Sequence, residues 1–372
     1  MHPTTQISLS EKLSLAGVVL AIPFRILASV VLSPLLKQYK KKRLNRVAVE
    51  AFTRFFIKHL STRQLQWAGG KSLEIYKAWA KSKNVQPIVE EVEGKAKLVW
   101  LTEKRTDRVL FYVHGGGYMI TINDNMCSFG PRMQQELLRR DRANNFGIVA
   151  LIYSLHPAKF PTQLDELSRA LSHLLSSGVK QENLILIGDS AGANLILQLL
   201  GHTLHPFEGV APSPLQRGES SNRLGGVCLV SPWLSLDTPT QSYTLNGDYD
   251  VVDPQTMISW GKAYLEGVPQ SHLPWIKPIY SGPDSWFTGL NGYTGRVLIT
   301  AGGKENLLDD STGLYIALKD IAKSNWDVQL DVEEDGIHED PIFDANFTQK
   351  RGGQLGNATM KIVNWIGEGL RF

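Results

Sequence analysis

The sequence predicts an α/β fold, a mostly parallel central sheet with helices on both faces, and three observations predict it. Short runs of β-prone residues alternate with stretches whose apolar residues recur at helical spacing. Most of those runs are apolar at every position, as strands covered on both faces must be. One of them, Leu184 to Ile187, passes through Gly188-Asp189-Ser190-Ala191-Gly192 into the helix-like Ala193 to Leu197, so a strand, a sharp turn and a helix follow one another.

Taken in order, residues 13–36 form the first element, an apolar segment about 36 Å long as a helix, against about 30 Å of bilayer hydrocarbon. Arg25 near its centre and Pro23 and Pro34 weaken a simple span. Gly17, Ala21, Arg25, Ser29 and Ser33 recur every fourth residue, a narrow small or polar stripe that suits a helix lying in the membrane interface. Lys37, Lys40, Lys41, Lys42, Arg43 and Arg46 follow as a basic tract able to meet anionic headgroups. Residues 1–43 are therefore expected to be a membrane-anchor segment, and 44–372 a catalytic domain. Its first part, about 44–83, reads as two cap helices split at Gly69-Gly70.

The strand candidates are Leu98 to Leu101, Val109 to Val113, Ile148 to Tyr153, Leu184 to Ile187, Gly226 to Val230, Val297 to Thr300 and Val328 to Val332. A polar loop is expected near Ser213 to Asn222. The 372 residues are 42% apolar, ample for a large core, and the net charge of +3 is too small to propose a nucleic-acid partner. Cys127 and Cys228 suggest neither a disulfide framework nor a metal site. Asn346 and Asn357 each open a glycosylation sequon.

The turn at Ser190 has the form of a nucleophile elbow, in which flanking glycines permit a strained backbone and close helix approach. Ser190 would then sit above the sheet at a helix N-terminus, whose dipole and free amides favour negative charge. Upstream, the strand 109–113 runs into His114-Gly115-Gly116-Gly117-Tyr118. Consecutive glycines let backbone N–H groups approach a substrate oxygen, so Gly115, Gly116, Gly117 and Ala191 are the expected oxyanion donors. His114 reads as a residue orienting that loop. A triad then needs an acid and a histidine downstream of the serine. Carboxylates Glu305 and Asp309 follow the strand 297–300, and His338 follows the strand 328–332.

Together, His-Gly-Gly-Gly, Gly-Asp-Ser-Ala-Gly, the stretch Tyr153 to Pro161 and Ser231-Pro232-Trp233-Leu234 resemble the hormone-sensitive lipase family of α/β-hydrolases over residues 100–372. The resemblance implies an α/β-hydrolase fold with a helical cap, and a triad of Ser190, His338 and Glu305. The family's acid is more commonly aspartate, so Asp309 stands as the alternative. Ser154 occupies a position where family members often carry arginine. With its N-terminal hydrophobic segment the chain is most similar to fungal steryl acetyl hydrolases, which implies a membrane-associated enzyme of the endoplasmic reticulum.

The expected chemistry is hydrolysis of a lipophilic carboxylic ester, such as a steryl or terpenoid acetate, through an acyl-Ser190 intermediate and without metal or cofactor. An acyltransferase on the same triad is the alternative, and a catalytically silent receptor is the third reading. Tyr118 and Asp189 are candidates for lining the substrate site, with Phe55, Phe56, Trp67 and Trp79 as cap aromatics.

Overall fold

The computed structural model describes residues 6–40, 42–142, 145–218, 222–321, 326–347 and 355–369. Lys41 of the basic tract, residues 219–221 of the polar loop and Thr348 of the first sequon lie outside the described residues. The strands are β1 (Ile88–Glu91), β2 (Lys97–Trp100), β3 (Val109–Val113), β4 (Gly147–Ile152), β5 (Leu184–Asp189), β6 (Gly226–Val230), β7 (Arg296–Gly302) and β8 (Asp327–Glu333). The helices are α1 (Leu9–Leu32), α2 (Leu44–His59), α3 (Thr62–Gly69), α4 (Ser72–Ser82), α5 (Asp124–Arg140), α6 (Thr162–Ser176) and α7 (Ala191–Leu204). They continue with α8 (Gln241–Asn246), α9 (Pro254–Leu265), α10 (Leu273–Ile276), α11 (Pro278–Ser281), α12 (Leu308–Ile321), α13 (Asp340–Phe347) and α14 (Asn357–Gly369).

Among the described residues one sheet carries all eight strands, in the order β1-β2-β4-β3-β5-β6-β7-β8. The pairings β1 with β2 and β2 with β4 are antiparallel, and the rest are parallel. Alternate residues of β3 enter opposite cores, as the two-residue strand period requires. Val109, Phe111 and Val113 pack on one face with Leu164 and Leu167 of α6 and Leu195 and Leu199 of α7. Leu110 and Tyr112 pack on the other with Met126, Phe129 and Met133 of α5 and Ile362 and Ile366 of α14. Each such side chain withdrawn from water contributes about 1.5–3 kcal/mol, which makes β3, β4 and β5 the stiff floor on which the loops stand.

The seven expected strands are present. The strand that the pattern misses is β1, whose Ile-Val-Glu-Glu is only half-buried and too short to register as a run. The N-terminal region holds three helices between 44 and 82, where two were expected. Helical spacing runs on through Leu60, but Ser61 starts α3 with a capping box, its hydroxyl accepting from the Gln64 amide and Gln64 returning a bond to the Ser61 amide. The Gly69-Gly70 split does end α3, with Gly70 at φ 78°.

Helix α1 begins at Leu9, earlier than the apolar run suggests, because Ser8 and Glu11 form a capping box ahead of it. It is long and apolar enough to cross a membrane, with a mean hydropathy of 2.3. One side packs on the protein: Leu15 joins the main core, and Val30 and Leu36 rest on Tyr39, Val47 and Ala51. The guanidinium of Arg25 lies 5.6 Å above the Phe55 ring of α2, which gives the mid-helix charge a partner. Opposite, Leu13, Leu20, Phe24, Leu27 and Val31 are exposed.

Part of the basic tract is not available to a membrane surface. Lys42 and Arg46 both pair with the buried Glu50, and Arg46 also reaches Asp340 and Asp344 of α13. Burying Glu50 demands those cations, because an unpaired carboxylate there would be expensive to desolvate.

Candidate active site

Strand β5 ends at Asp189, and Ser190 adopts φ 50° and ψ −115° before α7 begins at Ala191. The backbone can make this turn because its flanks are glycines: a Cβ on Gly188 would stand 2.7 Å from the Gly192 carbonyl carbon, and one on Gly192 would stand 2.0 Å from Val113 O. The Ser190 amide donates to Val230 O at 2.9 Å, fastening the elbow to β6. Ser190 is thereby presented at the carboxyl ends of the parallel strands, where open α/β sheets place their ligands.

Beside it, the loop after β3 runs through Gly116 at φ 99° and Gly117 at φ 62°. Gly117 must be glycine for space as well, since a Cβ would lie 2.4 Å from the Trp260 ring. His114 is buried, with Nδ1 at 2.8 Å from Gly115 O and its ring stacked on Tyr153 at 4.4 Å. Burial pushes its imidazole down to about 4, so it is a neutral brace for the loop.

One expected donor is otherwise engaged. The Gly115 amide donates to Asp189 Oδ2 at 2.9 Å, which leaves Gly116, Gly117 and Ala191 as the candidate oxyanion amides. Asp189 also accepts from the Tyr112 hydroxyl at 2.6 Å and is fully buried, so it supports the loop from below and does not line the cavity. Tyr118 is likewise removed from the substrate-lining set. Its ring stacks on Tyr264 at 3.9 Å and its hydroxyl donates to Asn194 Oδ1 at 2.6 Å, all within the core.

His338 lies in the loop between β8 and α13, with Nε2 3.0 Å from Ser190 Oγ. Its amide donates to Asp250 Oδ1 at 2.9 Å, and Asp250 Oδ2 accepts from the Asn306 amide at 2.8 Å. Asp250 thus clips the histidine loop to the loop that carries Glu305. Glu305 is fully buried, holds the Ser231 hydroxyl at 2.6 Å, and stands 3.7 Å from His338 Nδ1. That contact is to Glu305 Oε2, longer than a hydrogen bond, and both His338 Nδ1 and Glu305 Oε1 are without a hydrogen-bond partner among the described residues, so a small shift of either side chain would join them. Asp309 faces elsewhere, accepting from the Ser242 amide at 2.8 Å at the start of α8.

Burial lowers the His338 imidazole, outweighing the carboxylates Asp250, Asp189 and Asp310 that push it up. The neighbouring acids therefore do not make it more basic than usual. Burial also raises Glu305 to about 8. Burial thus works against a charge on either group alone, and an imidazolium beside an ionised Glu305 would offset both costs in a dry site.

Above Ser190 is a cavity of about 90 Å³ with a largely apolar wall of Ile57, Ile120, Met126, Val252, Met257, Trp260 and Phe343. Of the expected cap aromatics, none lines it: the helices before residue 83 contribute Thr53 and Ile57 instead. Trp79 is buried with Nε1 donating to Ser128 Oγ at 2.9 Å, Trp67 is exposed, and Phe55 faces Arg25.

A family model described as alpha/beta hydrolase fold matches residues 110–340, which include Ser190, Glu305 and His338. The chain belongs to the alpha/beta-hydrolase family. Within that family it is 28% identical over 228 residues to an esterase of Acinetobacter venetianus, covering 60% of this chain and 62% of the relative. It is 28% identical over 228 residues to an acetyl-hydrolase of Streptomyces hygroscopicus, covering 59% and 65%. The match thus spans a little under two thirds of those relatives' length. Among solved structures, an esterase from the bacterial hormone-sensitive lipase family superposes with a TM-score of 0.57 at 22% identity, covering 93% of this chain and 97% of the other.

Two residues that hold these loops escaped the sequence reading. Asp250 sits in an acid-rich loop with no pattern to single it out. Ser231, at φ 47°, was visible only as part of a motif and not as the partner of Glu305. Ser154, at the position where arginine is often found, donates to Glu166 from both its hydroxyl (2.5 Å) and its amide (2.7 Å), so a buried acid is held by hydrogen bonds in place of an ion pair.

Proposed function

We propose that this chain is a serine carboxylesterase that removes a short acyl group, such as acetyl, from a lipophilic alcohol of the sterol or terpenoid kind. The observation that carries the reading is the 3.0 Å contact between Ser190 Oγ and His338 Nε2 beneath the apolar cavity. In the cycle, His338 takes the Ser190 proton as the hydroxyl oxygen attacks the ester carbonyl, and Glu305 holds the imidazole tautomer and balances the imidazolium. The amides of Gly116, Gly117 and Ala191 receive the oxyanion. His338 then protonates the departing alcohol, and a water repeats the sequence on acyl-Ser190. The small, apolar cavity supports a short acyl group, and the names of the esterase and acetyl-hydrolase relatives agree with an ester substrate.

Covalent labelling by a fluorophosphonate tests the nucleophile: the parent labels and Ser190→Ala does not. Equal labelling of both, or of neither, overturns the proposal. Release of acetate from an aryl acetate, against transfer of acetyl to an added alcohol, separates hydrolase from transferase.

Helix α1 is proposed as a membrane anchor lying along the cap, directed to the endoplasmic reticulum. Its N-terminal end is tied to α3 by Glu11 with Arg63 and by Gln64 Nε2 donating to Glu11 O at 2.8 Å, and its other end rests on Tyr39 and Val47. A helix held at both ends lies in the interface more readily than it crosses the bilayer. The full-length protein is expected in the membrane fraction, and Leu20→Glu with Phe24→Glu should release it. A wild-type chain that fractionates as soluble sinks this part.

A further inference from the structure

Immediately after the histidine stands Glu339, a fully charged residue type in an unusual position. It lines the cavity beside Ser190, its backbone is left-handed at φ 56°, and its Oε1 lies 3.6 Å from His338 Nε2. A non-glycine residue is strained there, so the surrounding contacts must enforce it. Those contacts run in two directions. The Glu339 amide donates to Ser231 Oγ at 3.2 Å, and Ser231 in turn holds Glu305. Its carboxyl faces that of Asp189, and both groups crowd Gly115, where a Cβ would meet Asp189 Oδ2 at 2.2 Å and Glu339 Oε1 at 2.7 Å.

Two carboxylates cannot hydrogen-bond one another unless a proton lies between them, because an ionised carboxylate only accepts. Asp189 already accepts from the Tyr112 hydroxyl and the Gly115 amide, so it is the better-stabilised anion and Glu339 is the protonated partner. We propose that Glu339 is a positioning residue of the hydrolase, a neutral carboxyl that donates to Asp189 and thereby locks the histidine loop to the oxyanion loop. The proposal rests on the serine-hydrolase reading above. It deepens that reading by adding an acid pair, Asp189 buried and Glu339 at the cavity wall, on the reacting side of the imidazole.

The groups facing Glu339 are Asp189 on β5, Tyr112 on β3, Tyr153 after β4, Asp250 before α9, Glu305 after β7 and its neighbour His338. Burial and the acids Asp189, Glu305 and Asp250 hold its carboxyl well above the usual range. When Glu339 finally ionises at alkaline pH, a second anion faces Asp189 next to the amides meant for the oxyanion. The loop lock opens and the transition-state charge is opposed, so reactivity of Ser190 falls.

The test is the fluorophosphonate labelling rate of the full-length protein from about pH 6 to about pH 10, which needs only the serine, histidine and oxyanion amides. Glu339→Gln keeps a donor for Asp189 and cannot ionise, so it should lose the parent's alkaline decline, whereas Glu339→Ala should label more slowly at every pH. Asp189→Asn removes the anion that keeps Glu339 protonated. Its decline should move at least about one pH unit lower, with a rate at about pH 9 at least about tenfold below its own maximum, and the Asp189→Asn, Glu339→Gln pair should abolish that decline. Should Asp189→Asn fail to fold, Glu339→Gln against Glu339→Ala decides alone. An alkaline profile shared by the parent and Glu339→Gln, with Ser190→Ala unlabelled, overturns this role and leaves the hydrolase reading standing. A parent that does not label overturns both.

Discussion

The two halves of the site are built by different means. On the Ser190 side, the loop after β3 and the elbow after β5 are shaped by backbone: glycines whose missing Cβ atoms admit Val113 O, Trp260 and Gly192, standing on strands buried on both faces. On the acid and histidine side, the loops after β7 and β8 are held by side chains: Asp250, Ser231, Glu339 and Asn306 cross-link them, and β8 is the half-buried edge of the sheet. A backbone-built half tolerates almost no change in residue size. A network-built half can lose one bond and sag without collapsing.

That contrast orders the expected effects of mutation. Gly192→Ala should be the most damaging, since the intruding carbon would stand 2.0 Å from a β3 carbonyl and nothing flexible can yield. Loss of labelling together with a lower melting temperature is expected, and a soluble, fully reactive Gly192→Ala would break the distinction. His338→Ala should retain the fold but lose about 10⁴-fold or more in kcat, as removal of a triad base does in serine hydrolases. Asp250→Ala should lose about 10²-fold in kcat with little change in KM, the cost of a misplaced imidazole rather than a missing one.

Glu305→Gln separates stability from activity. Its carboxyl is raised above the ordinary value to about 8, so the folded state binds more protons than the unfolded one between about 4.5 and about 8. The stability this group contributes is therefore full in acid and is lost as pH climbs through that window. Glu305→Gln should fall in kcat yet melt about 2–4 °C above the parent at about pH 8, with the gap closing below about pH 4.5. A variant that melts lower than the parent at both pH values would show that the carboxylate is satisfied as an ion. The smallest effect concerns His338 itself. Because burial lowers its pKa, the acid limb of kcat/KM should fall below the ordinary histidine value near 6.5, and a limb above 6.5 would mean that the carboxylates dominate.

The same contrast explains what was legible. Strands β3 and β6 were readable to the residue because apolar runs and turn residues are local signals, and the elbow and oxyanion glycines sit within a few residues of them. Glu305 and Asp309 were not separable, since only the turn between β7 and α12 decides that one faces His338 and the other caps α8. Asp250 lies 56 residues from Asn306 and 88 from His338 in the chain, so no local pattern could reveal it. Gly115 was misread for a similar reason, as the destination of its amide depends on Asp189, 74 residues away.

The ion pairs of Arg46 carry a practical meaning. This residue of α2 grips Asp340 and Asp344 on the helix that begins two positions after His338, and it shares Glu50 with Lys42. The boundary between the proposed anchor and the rest of the chain is therefore not a cut line. A truncation placed ahead of Lys42 spares the clamp, while one a few residues later strips both cations and leaves the buried Glu50 unpaired at a cost of about 3–5 kcal/mol. Whatever pulls on the amino-terminal helices, a bilayer or a protease, pulls on the loop that carries His338.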